Sequence, residues 1–558
     1  MERNFKNIIQ YAFFATVFLS FISCSSRDNT EVVPEEGTSV MVSVAGINDY
    51  TEIDAQASAS KDISTSVKGD LVKEHITNFG DFDALVSFGK DVSKSENSKY
   101  NSIASASVIK PMAVTPIATN IKYRIVIYDA ADSNNTTPVA NVVLTSGSAT
   151  GTPIKIDAGK NYNWYAFSTN ETSVPNVTNG VVDKAGLMNK DVLWASGNLS
   201  AQFGNNNLSI TFSRNTSRIN VNLDSLGMSG IITSGSTPQI DLLTGSNSVL
   251  KYGDLNIFNG SFSNLTTFTA STRLSASSGL NGSIRTYTLY TVDNTTNIPA
   301  GSLNFKIGNF TVAKGDNGTN ISNINYSSST GSLNNTSAYT FSKASSYTAS
   351  IKLIESAITV GGVKWARENL KSYSPQFGNN SYLLANNMAN LATNPSLIIN
   401  FYYSSISKDY CANLYPAGIW RLPTKAEFNA IAPINKSVIF APNTAVDPNT
   451  PNGYLALQFT DPATVINTGY PLNSQKLNLP VAGYGNTATS GYDISLAAPT
   501  KSKMETGYWT KDGTTYGKQY FYTDDTFTYD GTNKPNIYWG GNVAPVANEW
   551  ISIRCVRQ

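Results

Sequence analysis

"IKYRIVIYDA", residues 121–130, alternates apolar and polar side chains with the two-residue period of a β-strand. The same signal extends outward from it. "PVANVVLTSG" (138–147) reads as its pairing partner, and "AGKNYNWYAFSTN" (158–170) follows a glycine-containing turn as the next strand. "DVLWASGNLSA" (191–201), "NNLSITFSRNTSRINVNLDSLG" (206–227), "SLNFKIGNFTV" (302–312) and "SYTASIKLIE" (346–355) carry strands to Glu355. Their spacing of roughly 8–12 residues is the pattern of a β-sandwich. Asn, Gly and Ser turns supply the punctuation, and helical periodicity is nearly absent. Upstream, "SVMVSVAGI" (39–47) is a half-buried strand. Residues 54–106, rich in Ser, Lys and Asp, predict loops with short strands such as "DALVSFG" (83–89).

The N-terminus points to export. Arg3 and Lys6 precede the uncharged run "NIIQYAFFATVFLSFIS" (7–23), which ends at Cys24. The run is shorter than the roughly 20 apolar residues of a membrane span, and its layout is that of a secretory signal. The Ser23-Cys24-Ser25-Ser26 junction resembles a bacterial lipoprotein box. Lipid on Cys24 would anchor the mature chain, each buried methylene contributing about 0.8 kcal/mol. Residues 1–23 are then a signal peptide, and the polar, acidic residues 24–38 a tether.

Composition excludes several function classes. Only 14% of the 558 residues are charged, against about 25% in ordinary globular chains. The net charge of +1 makes no electrostatic case for nucleic acid. The one histidine, His75, has no nucleophile signature around it and reads as a solvated or half-buried residue of a sheet or loop. With Cys24 lipidated, Cys411 and Cys555 remain, too few for a four-ligand zinc site of Cys and His. In an oxidising compartment two leftover cysteines invite one disulfide, which their separation in sequence does not prove. Asp512, Asp524 and Asp525 lack the spacing of a calcium loop and read as turn residues. No cofactor is expected.

The order "YRIVIYD", "GKNYNWYAFSTN", "DVLWASG" and "NNLSITFSRNTSRINVNL" resembles the fimbrillin-like surface lipoproteins of Bacteroidota. The matching features are Tyr128-Asp129, Gly159 to Ala166, Leu193 to Ser196 and Ser217 to Val221. The resemblance runs over residues 39–354. It implies two tandem transthyretin-like β-sandwiches, here 39–190 and 191–355, exposed at the cell surface. Some members polymerise after a cut at a basic residue frees an N-terminal strand, and Lys61, Lys68 and Lys73 are the lysines available for one.

After Glu355 the composition shifts. "VKWARENL" (363–370), "CANLYPAGIWRLPTKAEF" (411–428), "GYWT" (507–510) and "IRCV" (553–556) are similar to the Fibrobacter succinogenes major paralogous domain. That family is related to the formylglycine-generating-enzyme and C-type-lectin-like fold, so the resemblance implies an α+β module over 356–558. Its motif residues here are Trp365, Asn369, Trp420, Arg421, Pro423, Thr424 and Glu427. "ANLY" separates Cys411 from Pro416, where the family has the two adjacent. The residues also make sense without the family. Pro423 fixes a turn, Thr424 is the N-cap of a short helix, and Glu427 completes a capping box. Phe428 and Ile431 share the buried face, and Trp420 anchors the same core.

Catalytic relatives use a close cysteine pair near the C-terminus, whereas here Cys555 has only Cys411 as a partner. A structural disulfide is the expectation, and no enzyme. "GYGNTATSGYD" (483–493), "GTTYGKQYFYTDD" (513–525) and "TYDGTNKPNIYWGG" (528–541) place aromatic rings beside Asn and Asp in the loops expected to bind a ligand. The chain thus reads as an outer-membrane surface lipoprotein, mainly β, acting in adhesion or ligand binding. Its expected partners are an extracellular protein or glycan, with other fimbrial subunits if it is a fimbrial tip or anchor. A glycan-binding accessory lipoprotein is the further alternative.

Overall fold

The computed structural model describes residues 37–50, 53–54, 70–93, 114–147, 153–270, 274–276, 278–279, 282–314, 322–372, 382–384, 401–402, 409–434, 436–441, 454–459, 476–480, 500–502, 505–524, 526–528, 536–545 and 550–558. Cys24, the signal segment, nearly all of the tether, Lys61, Lys68, Asp525 and the 483–493 segment lie outside them.

The chain is mainly β, and among the described residues its α-helix is the single short Lys425–Ile431. One eight-stranded sheet forms the first body. Its order is Val114–Thr115, Thr38–Asn48, Asn205–Arg214, Leu193–Ser200, Asn161–Ser168, Lys122–Asp129 and Ala140–Thr145, with Ile154–Ile156 also on Thr38–Asn48. The expected pairing of Lys122–Asp129 with Ala140–Thr145 is present, from Lys122 opposite Thr145 to Ile127 opposite Ala140. The first strand runs parallel to Asn205–Arg214, with Val40 opposite Asn206. Val40, Ile125, Ile127, Trp164, Ile210 and Phe212 fill the core this sheet encloses. Full burial of each such side chain contributes about 1.5–3 kcal/mol.

The second body is a sandwich. Its main sheet runs Ile284–Thr291, Ser217–Gly227, Ser346–Glu355, Phe82–Lys90 and Asp70–Asn78. It packs on the strands Ile240–Thr244, Leu303–Ile307 and Phe310–Lys314, and Phe82, Val86, Ile219, Leu242, Phe305 and Val312 share one core. One expectation changes here. Part of the region read as loops with short strands is a nine-residue pair, Asp70–Asn78 and Phe82–Lys90, and it belongs to the second body. The division placed at 190/191 falls between Asn161–Ser168 and Leu193–Ser200, which are hydrogen-bonded neighbours in one sheet. Alternation is a local property of a strand, whereas the choice of partner is made by non-local packing.

The outer face of Lys122–Asp129 is covered by a three-stranded sheet, Val181–Val182, Lys251–Asn256 and Phe262–Thr267. Val126, Tyr128 and Phe167 pack with Val182, Leu255 and Ile257, so Lys122–Asp129 is buried on both sides. At the end of the first strand's segment, the Tyr50 ring lies between two guanidinium groups, those of Arg214 and Arg218, each 4.2 Å from its centre. The Tyr50 hydroxyl donates to Asp191 at 3.1 Å, and Asp191 also pairs with Arg214. Burial, and then the Asp191 charge, push the Tyr50 hydroxyl well above its ordinary pKa.

The last strand of the second body, Ser346–Glu355, is followed almost at once by the hairpin Ile358–Val360 and Val363–Ser372. Gly361 and Gly362 turn it with φ of +59° and +77°, the left-handed region that favours glycine in a two-residue turn. Val363–Ser372 pairs with Arg554–Arg557, which also pairs with Trp420–Arg421. A second sheet, Glu505–Asp512, Thr515–Thr523 and Ile537–Val543, completes what positions the C-terminal site.

Candidate functional site

Pro423 ends the Trp420–Arg421 strand and feeds the helix, as the sequence predicts. The Thr424 hydroxyl accepts from the Glu427 N–H at 3.2 Å, and the Glu427 carboxylate accepts from the Thr424 N–H at 2.7 Å. The capping box is therefore complete. Arg421 adds a feature the sequence reading missed: its guanidinium grips both Glu427 oxygens, at 2.8 and 2.5 Å. Burial disfavours the Glu427 charge, yet Arg421 and Thr424 outweigh it and hold the carboxyl below its usual range.

Phe428 and Ile431 are buried. Phe428 lies 5.0 Å from the ring of Trp365, which has no exposed surface. Asn369 is buried opposite Arg554. The Arg554 guanidinium donates to the carbonyls of Ala366, Arg367 and Asn478 at 3.1, 2.6 and 2.6 Å, tying three chain segments together. Trp420 is buried beneath Arg557, whose guanidinium sits 4.1 Å from the ring centre. Cys411 and Cys555 form a disulfide with Cα atoms 5.7 Å apart. Asp409 positions that junction by accepting from the N–H groups of Cys411 at 3.0 Å and Leu422 at 3.1 Å. Each motif residue thus has a structural task, and Cys555 is engaged in a disulfide.

The remaining acidic and basic candidates are placed as follows. His75 sits in the Asp70–Asn78 strand, with Nδ1 2.9 Å from the Lys73 carbonyl and Nε2 3.3 Å from Asn334. Lys73 belongs to the same paired strand rather than to a free extended segment. Asp512 accepts from the Lys425 N–H at 3.3 Å, at the start of the helix. Among the described residues no group of three or more His, Cys, Asp or Glu is placed to hold a metal ion.

Of the aromatic segments expected on loops, 483–493 lies outside the described residues, and the described parts of 513–525 and 528–541 are mostly paired strands, Thr515–Thr523, Thr526–Thr528 and Ile537–Val543. Tyr522 stands directly opposite Tyr538. Strand alternation sends Phe521 and Trp539 inward, where their rings meet edge to face at 4.8 Å near Phe428. It sends Tyr520, Tyr522 and Tyr538 outward as a stacked row, with centroids 5.5 and 5.2 Å apart and planes within 26° and 24°. The row fits because residue 540 is glycine: a Cβ there would come within 2.1 Å of the Tyr520 ring. The Tyr520 hydroxyl donates to Glu505. The Tyr538 hydroxyl donates to Asp524 at 2.7 Å, and Asp524 also accepts from the Asn536 backbone and side chain at 3.0 and 3.3 Å. The Tyr538 bond, followed by the Asn536 backbone bond, holds the Asp524 carboxyl below its usual range. Beside Tyr538 opens a cleft of about 490 Å³, with Ile434, Leu457 and Ile537 among its walls and Lys436, Asn536 and Tyr538 at its polar side. Period two placed these rings on alternate faces, but sequence could not pair Tyr522 with Tyr538.

With this geometry in place, the chain can be compared with known proteins. Residues 113–365 match the fimbrillin-like family. The matched residues cover the first sheet beyond its N-terminal strand and most of the second body, and end at Trp365. No curated protein matches the chain. Among solved structures, a candidate cell adhesion protein of Bacteroides fragilis NCTC 9343 shares 12% identity over 57% of this chain and 93% of its own, with a TM-score of 0.27. A candidate cell adhesion protein of Bacteroides uniformis ATCC 8492 shares 11% over 42% and 91%, at 0.24. The fimbrial anchor protein Mfa2 of Porphyromonas gingivalis shares 12% over 35% and 71%, at 0.19. Likenesses at these TM-scores carry no argument about function.

Proposed function

We propose that the protein is a non-catalytic adhesin of the outer-membrane surface, anchored through lipid on Cys24 and presenting its C-terminal module as a recognition head. The observation carrying this reading is the fimbrillin-like match over residues 113–365, followed within two residues of Ser346–Glu355 by the first strand of the C-terminal module. Leu85 and Ile354 of the second body sit in the same core as Cys411, Trp420 and Cys555. A head fixed in this way transmits load instead of swinging. The lectin-like character of the module and the two-sandwich division of the remainder belong to this proposal. The test is surface display of the full chain in its host, comparing native protein with Cys24→Ala. Protease-accessible protein with ligand adhesion for the native chain, both lost for the variant, is expected. Native protein that stays inside the cell would refute the reading.

A fimbrial tip or anchor subunit is the second reading. It is favoured by the N-terminal strand Thr38–Asn48, which already fills its place beside Asn205–Arg214 over eight residue pairs. Unheated surface extracts run on a gel separate the two: a ladder containing this chain supports the subunit, a single band the adhesin.

A further inference from the structure

We propose that the cleft beside Tyr538 binds a neutral hexopyranose ring of an extracellular glycan; this rests on the reading of the C-terminal module as the recognition head. Tyr538 is 42% exposed, yet it is fixed at two points. Its ring is backed by Tyr522 and then Tyr520, and its hydroxyl is held by Asp524. A ligand stacking on its outer side therefore freezes little side-chain motion, the condition that makes an exposed ring a good platform. Cross-strand stacking alone explains the pairing of these tyrosines. It does not explain the cleft next to them, or why one carboxylate holds both the ring and Asn536.

The chemistry of the walls selects the ligand. A pyranose has an apolar C–H face and a rim of hydroxyls. The cleft offers the Tyr538 ring with Ile434 and Ile537, over the buried Leu457, for the first, and for the second the Asn536 side-chain carbonyl, whose amide nitrogen is turned to Asp524 at 3.3 Å. Its volume of about 490 Å³ lies within the roughly 300–1,000 Å³ of small-ligand sites. Charge then chooses between neutral and acidic sugars. Asp524 places a negative charge next to Asn536 and Tyr538. The Lys436 ammonium is turned to the Ala432 carbonyl at 2.6 Å, at the end of the helix, and lies 5.8 Å over Trp539. With the Lys436 ammonium in the lining and the Asp524 carboxylate behind Asn536 and Tyr538 offsetting one another, the cleft has no net charge to draw an anionic sugar.

The test uses the full mature chain, with saturation-transfer NMR and tryptophan fluorescence as readouts, Trp539 lying beside the cleft wall. The probes are methyl β-glucopyranoside, methyl β-galactopyranoside, methyl α-mannopyranoside, N-acetylglucosamine and sodium glucuronate. We expect millimolar binding of at least one neutral sugar, weakened about tenfold or more by Tyr538→Ala. Tyr538→Trp should retain it, and Asn536→Ala should weaken it with the thermal midpoint unchanged. Glucuronate should bind about tenfold less well than the best neutral sugar. The assignment is overturned if no neutral sugar saturates, if Tyr538→Ala binds as the native protein does, or if glucuronate is preferred. Adhesion of the full chain to a protein ligand with every sugar silent would sink this site and leave the adhesin reading standing. Absence of all adhesion by surface-displayed native protein would sink the reading itself.

Discussion

Arg557, the penultimate residue, donates to the Asp83 carboxylate at 3.0 Å while its guanidinium covers the buried Trp420 ring. The same group donates to the Glu355 carbonyl. One side chain thus joins the final strand of the C-terminal module to two strands of the second body, Phe82–Lys90 and Ser346–Glu355.

Arg557→Ala is expected to destabilise the protein by about 2 kcal/mol, because it takes the cation from a mostly buried Asp83, which keeps only Asn78 among the described residues, and uncovers one face of Trp420. Arg557→Lys should recover only part of this, since an ammonium lacks the planar group that stacks. Urea unfolding followed by tryptophan emission measures both. An Ala variant with the native midpoint would show that the contact contributes nothing.

The disulfide closes a sequence separation of 144 residues, for which the chain-entropy model gives about 5 kcal/mol. Cys555→Ser, or reduction of the native protein, should lower the unfolding midpoint of the C-terminal module most. Thiol titration of oxidised native protein should find neither Cys411 nor Cys555 reactive. Two reactive thiols before reductant is added would contradict the bond.

Glu427 predicts an acid limit. Its carboxyl lies below its ordinary value in the folded state, near 4.3 when unfolded. A depressed carboxylate contributes stability that is complete above the unfolded value and lost as pH falls through the folded one. Glu427→Gln should therefore cost stability at neutral pH, and its stability curve should converge with that of native protein as pH drops below about 4. Parallel curves from pH 7 to 3 would rule out this linkage.

Tyr50 locks the exit of the N-terminal strand through Arg214, Arg218 and Asp191. Tyr50→Phe should cost about 1 kcal/mol, the worth of one hydrogen bond. Tyr50→Leu should cost about 2–3 kcal/mol, since both stacked guanidinium groups lose their ring. Hydrogen exchange in Thr38–Asn48 should quicken in the Leu variant, and unchanged protection there would argue that the strand is held without the lock.

Much of the C-terminal site was legible from residue types alone. Pro423, Thr424 and Glu427 specify a turn and a capped helix within five positions, so local chemistry suffices for them. The Arg421–Glu427 pair was within reach of the same short stretch and was missed. Arg554 figured only as a letter of the 553–556 motif and Arg557 carried no signal, because their partners, Asn478 and Asp83 among them, lie far away in the chain. The tyrosine row was visible as composition and misplaced as loops, since turn-rich sequence around it masked the alternation from Lys518 to Tyr522.

"IKYRIVIYDA" shows where the division falls. The sequence by itself determined a strand with Tyr123, Ile125 and Ile127 on one face, because side-chain direction along an extended chain repeats every two residues. It also determined the turns, the capped helix and the polar, weakly charged surface. Only the tertiary structure decided that the opposite face is buried as well, with Val126 and Tyr128 against Leu255 and Ile257. There Arg124 is satisfied by the Pro175 carbonyl, Asn141 and Asn176. It likewise sent the strands on either side of Asn215 and Thr216 into different sheets, with different partners. The reason is physical: alternation is written residue by residue, whereas the surface that covers a face comes from chain far away, and is chosen by the packing of whole bodies.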